Sequence, residues 1–339
     1  MIVNTKLFKK AVQTAKRYKV ELIELQVLHD EIKVIADDKE HGVAITVSCS
    51  QSTLNTSVKV ALNPLLNALK NGKNENISVE IRENVYIVGS YTLPCIVGGE
   101  AFPQIDNKEM LKIDSTNLIK AFKKVSPAMA SKSPKFELNG ALLSIDDNGC
   151  DIVATDTKRL ARSHLPHTNT QELRLIIPNK AIIEIQKLFT DTMDIYYDDT
   201  TLIIQKQNYT FYTRIIQGRY PDYARIIPKK SRYNLQLPKN KMIESIKMIT
   251  PICKNITMVI SPNSMIFKPL PDDVGEVKTE LLINLELEHN FEINVNSQYL
   301  LDFLMQVDAE TFDFLFSEDN FPFLLQEGAF QMVVMPIIL

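Results

Sequence analysis

The sequence contains no stretch approaching the ~18 consecutive apolar residues that a membrane-spanning helix requires. Its first residues, Met1-Ile2-Val3-Asn4-Thr5-Lys6, lack the apolar block of a signal peptide. A protein without a membrane association is expected, with the cytoplasm as its compartment. Cysteine is scarce, and Cys49, Cys95, Cys150 and Cys253 lie far apart with no CxxC pair. That pattern fits buried thiols in a reducing compartment and excludes a disulfide framework. GxxxxGK[ST], GxGxxG and HExxH are all missing, which removes the nucleotide-binding and zinc-hydrolase signatures. The five histidines, His29, His41, His164, His167 and His289, share no ligand spacing, and only His164 and His167 could face together. No metal and no cofactor are expected. A formal net charge of −3 argues against gripping phosphates over the whole surface, although it leaves room for a local basic face.

What is present is an ordinary globular composition, 45% apolar and 23% charged, over 339 residues. That length exceeds what one hydrophobic core usually supports, so two or three domains are expected. Helical periodicity opens at Lys6 to Tyr18, with Leu7, Phe8, Ala11, Val12 and Ala15 on one stripe. A second helix follows near Ala61 to Asn71, with Pro64 in its first turn, and strand-like runs at Glu21 to Leu28 and Val43 to Ser48 lie between. The order then returns twice. Asp114-Ser115-Thr116 can cap a helix bearing Leu118, Ile119, Phe122 and Val125, strands follow at Ala141 to Ile145 and Asp151 to Thr155, and a helix runs from Lys180 to Phe189. Lys239 to Ile249 and Ser297 to Val307 form a third helix pair.

Measured from Leu7, Leu118 and Met242, the second helices at Leu65, Ile182 and Leu300 come at offsets of 58, 64 and 58 residues, a near-constant period that marks an internal repeat. Strands with turn signals follow each: Val79 to Val97 broken at Glu83-Asn84, Asp194 to Ile216 broken at Asp198-Asp199, and Phe312 to Ile338 broken at Ser317 to Asn320. Polar stretches near Asn107-Lys108-Glu109 and Lys229-Lys230-Ser231 then divide three α+β domains, 1–109, 110–230 and 231–339. Frequent hairpins favour antiparallel sheets.

The charge is unevenly spread. From Met1 to Tyr18 there are five basic residues and no acid, Lys9, Lys10, Lys16 and Arg17 among them. From Ser115 to Phe136 there are again five, Lys120, Lys123, Lys124, Lys132 and Lys135, with no acid. Lys239 to Lys254 adds Lys241 and Lys247 against Glu244 alone. One such face is a solvated helix; three in matching positions suit sequence-independent contact with duplex phosphates. Asp146-Asp147 and Asp198-Asp199 fit hairpin turns or a pair of acids for a two-metal nuclease. Asp156 fits a catalytic acid at a strand end as well as a turn residue. A nucleic-acid-processing enzyme and a protein-interaction scaffold therefore stand as alternatives on residues alone.

Four segments carry a resemblance along the chain: Leu138-Asn139-Gly140; Val153-Ala154-Thr155-Asp156 with Arg159-Leu160-Ala161; Gly218-Arg219-Tyr220-Pro221-Asp222-Tyr223 with Ile227-Pro228; and Val333-Val334-Met335-Pro336. In order and spacing they resemble the bacterial sliding clamp, the beta subunit of DNA polymerase III, most closely in the second repeat and at the C-terminus. In the first repeat only Phe102-Pro103 and the helix pattern are familiar. The resemblance implies three clamp modules per subunit, sheets outside and helices inside, in a head-to-tail homodimeric ring around double-stranded DNA. It implies a non-catalytic accessory subunit of a DNA-directed DNA polymerase, a processivity factor whose basic first helices line the hole. It also implies a client pocket for short linear motifs with a glutamine and apolar or aromatic anchors. The implied clients are the replicative polymerase subunit, the clamp loader, repair polymerases, a mismatch-repair protein and ligase. Matching pocket positions are Leu138, Thr155, Thr157, Lys158, Arg159, Leu160, Pro228, Pro322, Val333, Met335, Pro336 and Ile337, with Arg159 and backbone groups orienting the peptide between apolar walls. Thr157 and Lys158 stand where relatives commonly have glycine and histidine, and Ile338 replaces a penultimate arginine. These departures bear on the client motif preferred. The glycine- and proline-rich loop usual after the first helix is contracted to Lys16-Arg17-Tyr18-Lys19-Val20.

Overall fold

A computed structural model describes residues 1–50, 55–70, 74–166, 172–270 and 277–339. The first stretch of chain runs β1 (Ile2–Asn4), α1 (Thr5–Ala15), β2 (Leu22–Leu28), β3 (Glu31–Asp37), β4 (His41–Ser50), β5 (Asn55–Ala61), α2 (Leu62–Lys70), β6 (Asn76–Arg82), β7 (Val85–Val88) and β8 (Tyr91–Val97). The second runs β9 (Glu109–Met110), α3 (Ser115–Val125), β10 (Gly140–Asp146), β11 (Gly149–Thr155), β12 (Arg159–Leu165), β13 (Leu173–Pro178), α4 (Asn179–Leu188), β14 (Asp194–Tyr197), β15 (Thr201–Lys206) and β16 (Tyr209–Arg214). The third runs β17 (Tyr233–Pro238), α5 (Lys239–Ile249), β18 (Asn255–Ile260), β19 (Ser264–Pro269), β20 (Thr279–Leu282), β21 (Phe291–Asn296), α6 (Ser297–Leu304), β22 (Thr311–Phe316), β23 (Phe323–Glu327) and β24 (Phe330–Val334). One strand, a helix, four strands, a helix and three strands thus occur three times in succession among the described residues.

The helices form where the apolar stripe predicted them. Asn4 caps α1 by accepting a hydrogen bond from the Leu7 amide at 3.0 Å, and Phe8, Ala11, Val12 and Ala15 are buried beneath it. Leu7 departs from the expected stripe. It is 55% exposed, because the burial centre falls between Phe8 and Ala15 and leaves Leu7 at its margin. Ser115 starts α3, but its hydroxyl accepts from the Met193 amide at 3.0 Å and so ties the helix start to the approach to β14. The last helix, α6, ends at Leu304, three residues short of the expected Val307.

Two compact units emerge, Met1–Ser115 with Phe189–Ile215, and Thr116–Leu188 with Ile216–Leu339. The first holds a twelve-stranded antiparallel sheet, β1-β6-β7-β8-β5-β2-β3-β4-β16-β15-β14-β9, in which β1 also pairs with β4. The second holds an eight-stranded sheet, β13-β10-β11-β12-β24-β23-β22-β17, and a four-stranded sheet, β20-β19-β18-β21.

These orders share a rule. Each repeat contributes one set of the type β5-β2-β3-β4, matched by β13-β10-β11-β12 and β21-β18-β19-β20. It contributes another of the type β1-β6-β7-β8, matched by β9-β14-β15-β16 and β17-β22-β23-β24. Successive repeats join by the same edge pairing, β4 with β16 and β12 with β24. In the second unit β10 and most of β11 are buried on both faces, so Ala141–Leu143 and Ile152–Ala154 read as continuous apolar runs and not as alternating ones.

Candidate functional site

The twelve positions singled out above fall in the second unit, around the neighbouring ends of β12 and β24. Register brings them there: Arg159 lies opposite Val334 and Leu160 opposite Val333, while Phe323 and Leu324 of β23 flank the other side of β24. Leu138, Leu160 and Val333 are buried together with Leu142, Val153, Ile176, Tyr220, Tyr223 and Leu324, and Ile227 packs against the same cluster beside Pro228. Leu138 is presented by a 3₁₀ turn, Phe136–Leu138, whose carbonyl end accepts from the Ala130 amide at 3.1 Å. Pro322 precedes Phe323 and by register stands level with Met335. The Met335 side chain is 39% exposed at the edge of the buried cluster. Its amide donates to the Lys158 carbonyl at 2.9 Å, and the Ile337 amide donates to the Asn294 carbonyl at 2.7 Å. The C-terminal segment from Met335 to Ile337 is therefore laid across β12 and the end of β21, with Pro336 half-buried between the two bonds.

The turn from β11 to β12 forms the polar side of this recess. Asp156 Oδ1 accepts from the Lys158 and Arg159 amides, each at 3.0 Å, and Thr155 Oγ1 donates to the Arg159 carbonyl at 2.6 Å. The Thr157 amide donates back to Thr155 Oγ1 at 3.1 Å. Asp156 is thereby a turn-forming residue of the kind whose carboxylate replaces a backbone acceptor. Thr157 sits at φ +75°, a left-handed conformation that glycine adopts freely and a β-branched residue adopts at a cost of roughly 1 to 3 kcal/mol. Thr157 and Lys158 are exposed.

Arg159 occupies a different place from the one its polarity suggested. It is buried, and its guanidinium is bonded within the fold on every side: Nε to Asp156 Oδ2 at 3.1 Å, Nη1 to Asp302 Oδ2 at 2.5 Å, and Nη2 to the Pro127 carbonyl. Its plane also lies over the Tyr299 ring, with 4.3 Å between Cζ and the ring centroid. Asp302 and Tyr299 belong to α6, and neither was visible as a site residue in the sequence, since nothing near them in the chain marks them as partners of a turn 143 residues away.

A polar recess of about 390 Å³ adjoins Pro228 and includes Asp146, Asp151, Arg162, His164, Tyr223 and Gln331. Asp151 organises it, taking Tyr223 Oη at 2.8 Å, Arg162 Nη2 at 2.9 Å and His164 Nδ1 at 2.8 Å. Burial and the adjacent Asp151 push the Tyr223 phenol well above its usual value, so it stays neutral and donates. His167, the proposed companion of His164, lies outside the described residues.

The basic residues divide by environment. Lys10, Lys16, Arg17, Lys120, Lys123, Lys132, Lys135, Lys241 and Lys247 are exposed, and Lys9 is half-buried. Lys124 is turned inward: its Nζ is 3.2 Å from Glu327 and 3.3 Å from Asp308, and 5.4 Å above the Phe330 ring. A groove of about 650 Å³ beside it is bordered by Lys120, Lys123, His164 and Gln306.

The acidic pairs weighed for metal chemistry sit in turns. Asp146 Oδ1 accepts from the Asn148 amide at 2.8 Å. Burial disfavours the charge on Asp198, but Lys108 and the Thr200 and Thr201 donors outweigh it and hold the carboxyl down at about 2. Among the described residues no three His, Cys, Asp or Glu side chains are grouped to share a metal ion, and no helix is long and apolar enough to cross a membrane.

Comparison with known proteins places this geometry in a family. The family described as the central domain of the DNA polymerase III beta subunit matches residues 112–222. A beta sliding clamp of Helicobacter pylori is 30% identical over 321 residues, covering 90% of this chain and 86% of the relative. One from Chlamydia muridarum is 26% identical over 253 residues, covering 71% and 69%. The crystal structure of the H. pylori beta clamp bound to a DNA ligase peptide superimposes with a TM-score of 0.91 at 27% identity, over 100% of this chain and 99% of that one. The DNA polymerase III subunit beta of Pseudomonas aeruginosa shares the fold, with a TM-score of 0.91 at 21% identity over the full length of both chains. The chain belongs to the beta sliding clamp family, whose members are non-catalytic processivity factors.

Proposed function

We propose that this chain closes with a second copy into a ring around double-stranded DNA and tethers the replicative polymerase and other clients through the recess at β12 and β24. The observation that carries the ring is the repeated edge pairing. β4 joins β16 and β12 joins β24, so one further step of the same rule matches β20 to the Tyr91–Pro94 end of β8 of another subunit, which pairs with β7 alone while Cys95–Val97 pair with β5. A head-to-tail contact of this kind closes when the rotation allows, giving six repeats per ring. Leu282 on β20 is 75% exposed and Tyr91 on β8 is 41% exposed, apolar surface that such a contact would cover. The threefold element order supports domains at 1–109, 110–230 and 231–339, with the strand pairs spanning their boundaries.

The exposed lysines of α1, α3 and α5 are then the hole lining, exchanging phosphates without sequence preference. Retention is topological, so tight binding is unnecessary. Client motifs with a glutamine and apolar anchors would enter between Leu138, Leu160, Val333 and Met335, as the peptide-bound H. pylori relative suggests. Polymerase, clamp loader, repair polymerases, a mismatch-repair protein and ligase are the proposed clients, and the cytoplasm is the proposed compartment. Primer extension by the cognate polymerase on a long circular template, with the clamp loader present, is the direct test. Longer products per binding event are expected when this chain is added; unchanged product length would refute the reading.

A further inference from the structure

The turn between β11 and β12 holds a conformation that its own sequence opposes. Thr157 at φ +75° would relax to negative φ if the turn were free to move. Two sets of contacts oppose that relaxation. The bonds that Asp156 and Thr155 make to Thr157, Lys158 and Arg159 span Thr157 and close the turn on itself. The contacts of the Arg159 guanidinium reach outside: Asp302 at 2.5 Å and the Tyr299 ring at 4.3 Å on α6, and the Pro127 carbonyl after α3. The same turn fixes the C-terminal segment, because the Lys158 carbonyl accepts the Met335 amide at 2.9 Å.

We propose that Asp302 is a positioning residue for client peptides: by anchoring Arg159 to α6 it keeps the strained turn in place, and with it both the Thr155 to Thr157 wall and the Met335 side of the recess. This rests on the client-pocket reading and deepens it. Asp302 itself touches no client. Its second oxygen accepts from Gln298 Nε2 at 2.7 Å on the same helix, which holds the carboxylate toward Arg159. Such a positioning role has a consequence that simple structural support lacks. A glycine at position 157 adopts positive φ without strain, so the turn would then keep its shape with less anchoring, and the loss of Asp302 should matter less.

The test uses the full-length chain and isothermal calorimetry with a synthetic peptide carrying glutamine, leucine and phenylalanine anchors. Asp302→Ala is expected to weaken the peptide at least fivefold. With the Thr157→Gly chain as its own reference, Asp302→Ala in that background should lose less than twofold. Circular dichroism and light scattering check fold and assembly; if Asp302→Ala does not fold, Asp302→Asn, which keeps the shape and loses the charge, carries the same comparison. Undiminished affinity in the Asp302 variant, or equal losses in both backgrounds, overturns the proposal. Absence of peptide binding by the unaltered chain would instead remove the client-pocket reading, and the positioning role with it.

Discussion

Removing the Arg159 side chain would leave Asp156 and Asp302, with side chains 22% and 20% exposed, facing one another without a counter-ion. Breaking a buried ion pair by deleting one partner costs about 3 to 5 kcal/mol, and the residual hydration of both carboxylates places Arg159→Ala toward about 2 to 3 kcal/mol. Urea unfolding should therefore show a lower midpoint at unchanged slope. Arg159→Lys should recover only part of it, because an ammonium can pair with one acid but can neither lie flat on Tyr299 nor reach Pro127 at the same time. An unchanged midpoint would mean that these ion pairs contribute nothing in solution. On the proposed client-pocket reading the side chain would act on a client by shaping the recess, with the exposed Met335 available for direct contact. Local sequence marks the turn itself, since Thr155, Asp156 and Arg159 are close neighbours. It says nothing of Pro127, 32 residues away, or Asp302, 143 away, and so the direction of the guanidinium was not legible. The glycine that the family resemblance implies at position 157 would have a plain cause in the positive φ of Thr157.

At the scale of elements, the six α-helices among the described residues were legible because each buries one stripe at the 3.6-residue period. Strands were less so. β4 was legible only as Val43 to Ser48, because the run His41–Ile45 is buried on both faces and lacks the period-two alternation that would have marked its start, and β7 has only four residues. Charge patterning gave the basic face of α3 but not its division. Lys120 and Lys123 point to solvent, whereas Lys124, next in sequence, is about 100° further round the helix and meets Glu327 and Asp308. These lysines should separate experimentally. Lys123→Gln should lower the salt dependence of binding to nicked circular DNA by about one phosphate's worth of slope, leaving stability unchanged. Lys124→Gln should leave the slope alone and lower stability by about 1 kcal/mol, the cost of stranding the largely buried Glu327. Titrations over a series of salt concentrations, paired with urea unfolding, distinguish the two. Equal slopes for both variants would show that α3 does not present its lysines to DNA in this way.

For the whole molecule, the offsets of 58, 64 and 58 residues made the repeat legible, but not how repeats are joined. Tyr209 of β16 pairs with Ile45 of β4 across most of two repeats, and no local pattern encodes such a partner. The pairing rule leaves β20 at the end of its sheet, and its register tells which of its amides face outward. The Ile283 amide donates to the Asn263 carbonyl at 3.1 Å, so the alternate residues Leu281 and Thr279 face β19 while Glu280 and Leu282 direct their backbone groups away from it. Glu280→Pro removes one outward amide and leaves the β19 ladder intact, which a terminal strand tolerates. If β20 pairs with β8 of a second subunit, light scattering of the unaltered chain should give about twice 38.6 kDa. The Glu280→Pro chain should then give a single-subunit mass with the same circular dichroism, and it should no longer lengthen primer-extension products, since an open subunit cannot be retained topologically on DNA. A dimer that survives this substitution at micromolar concentration would place the contact on some other edge, because one lost amide bond together with the proline ring in mid-strand blocks continuous pairing along the four residues available.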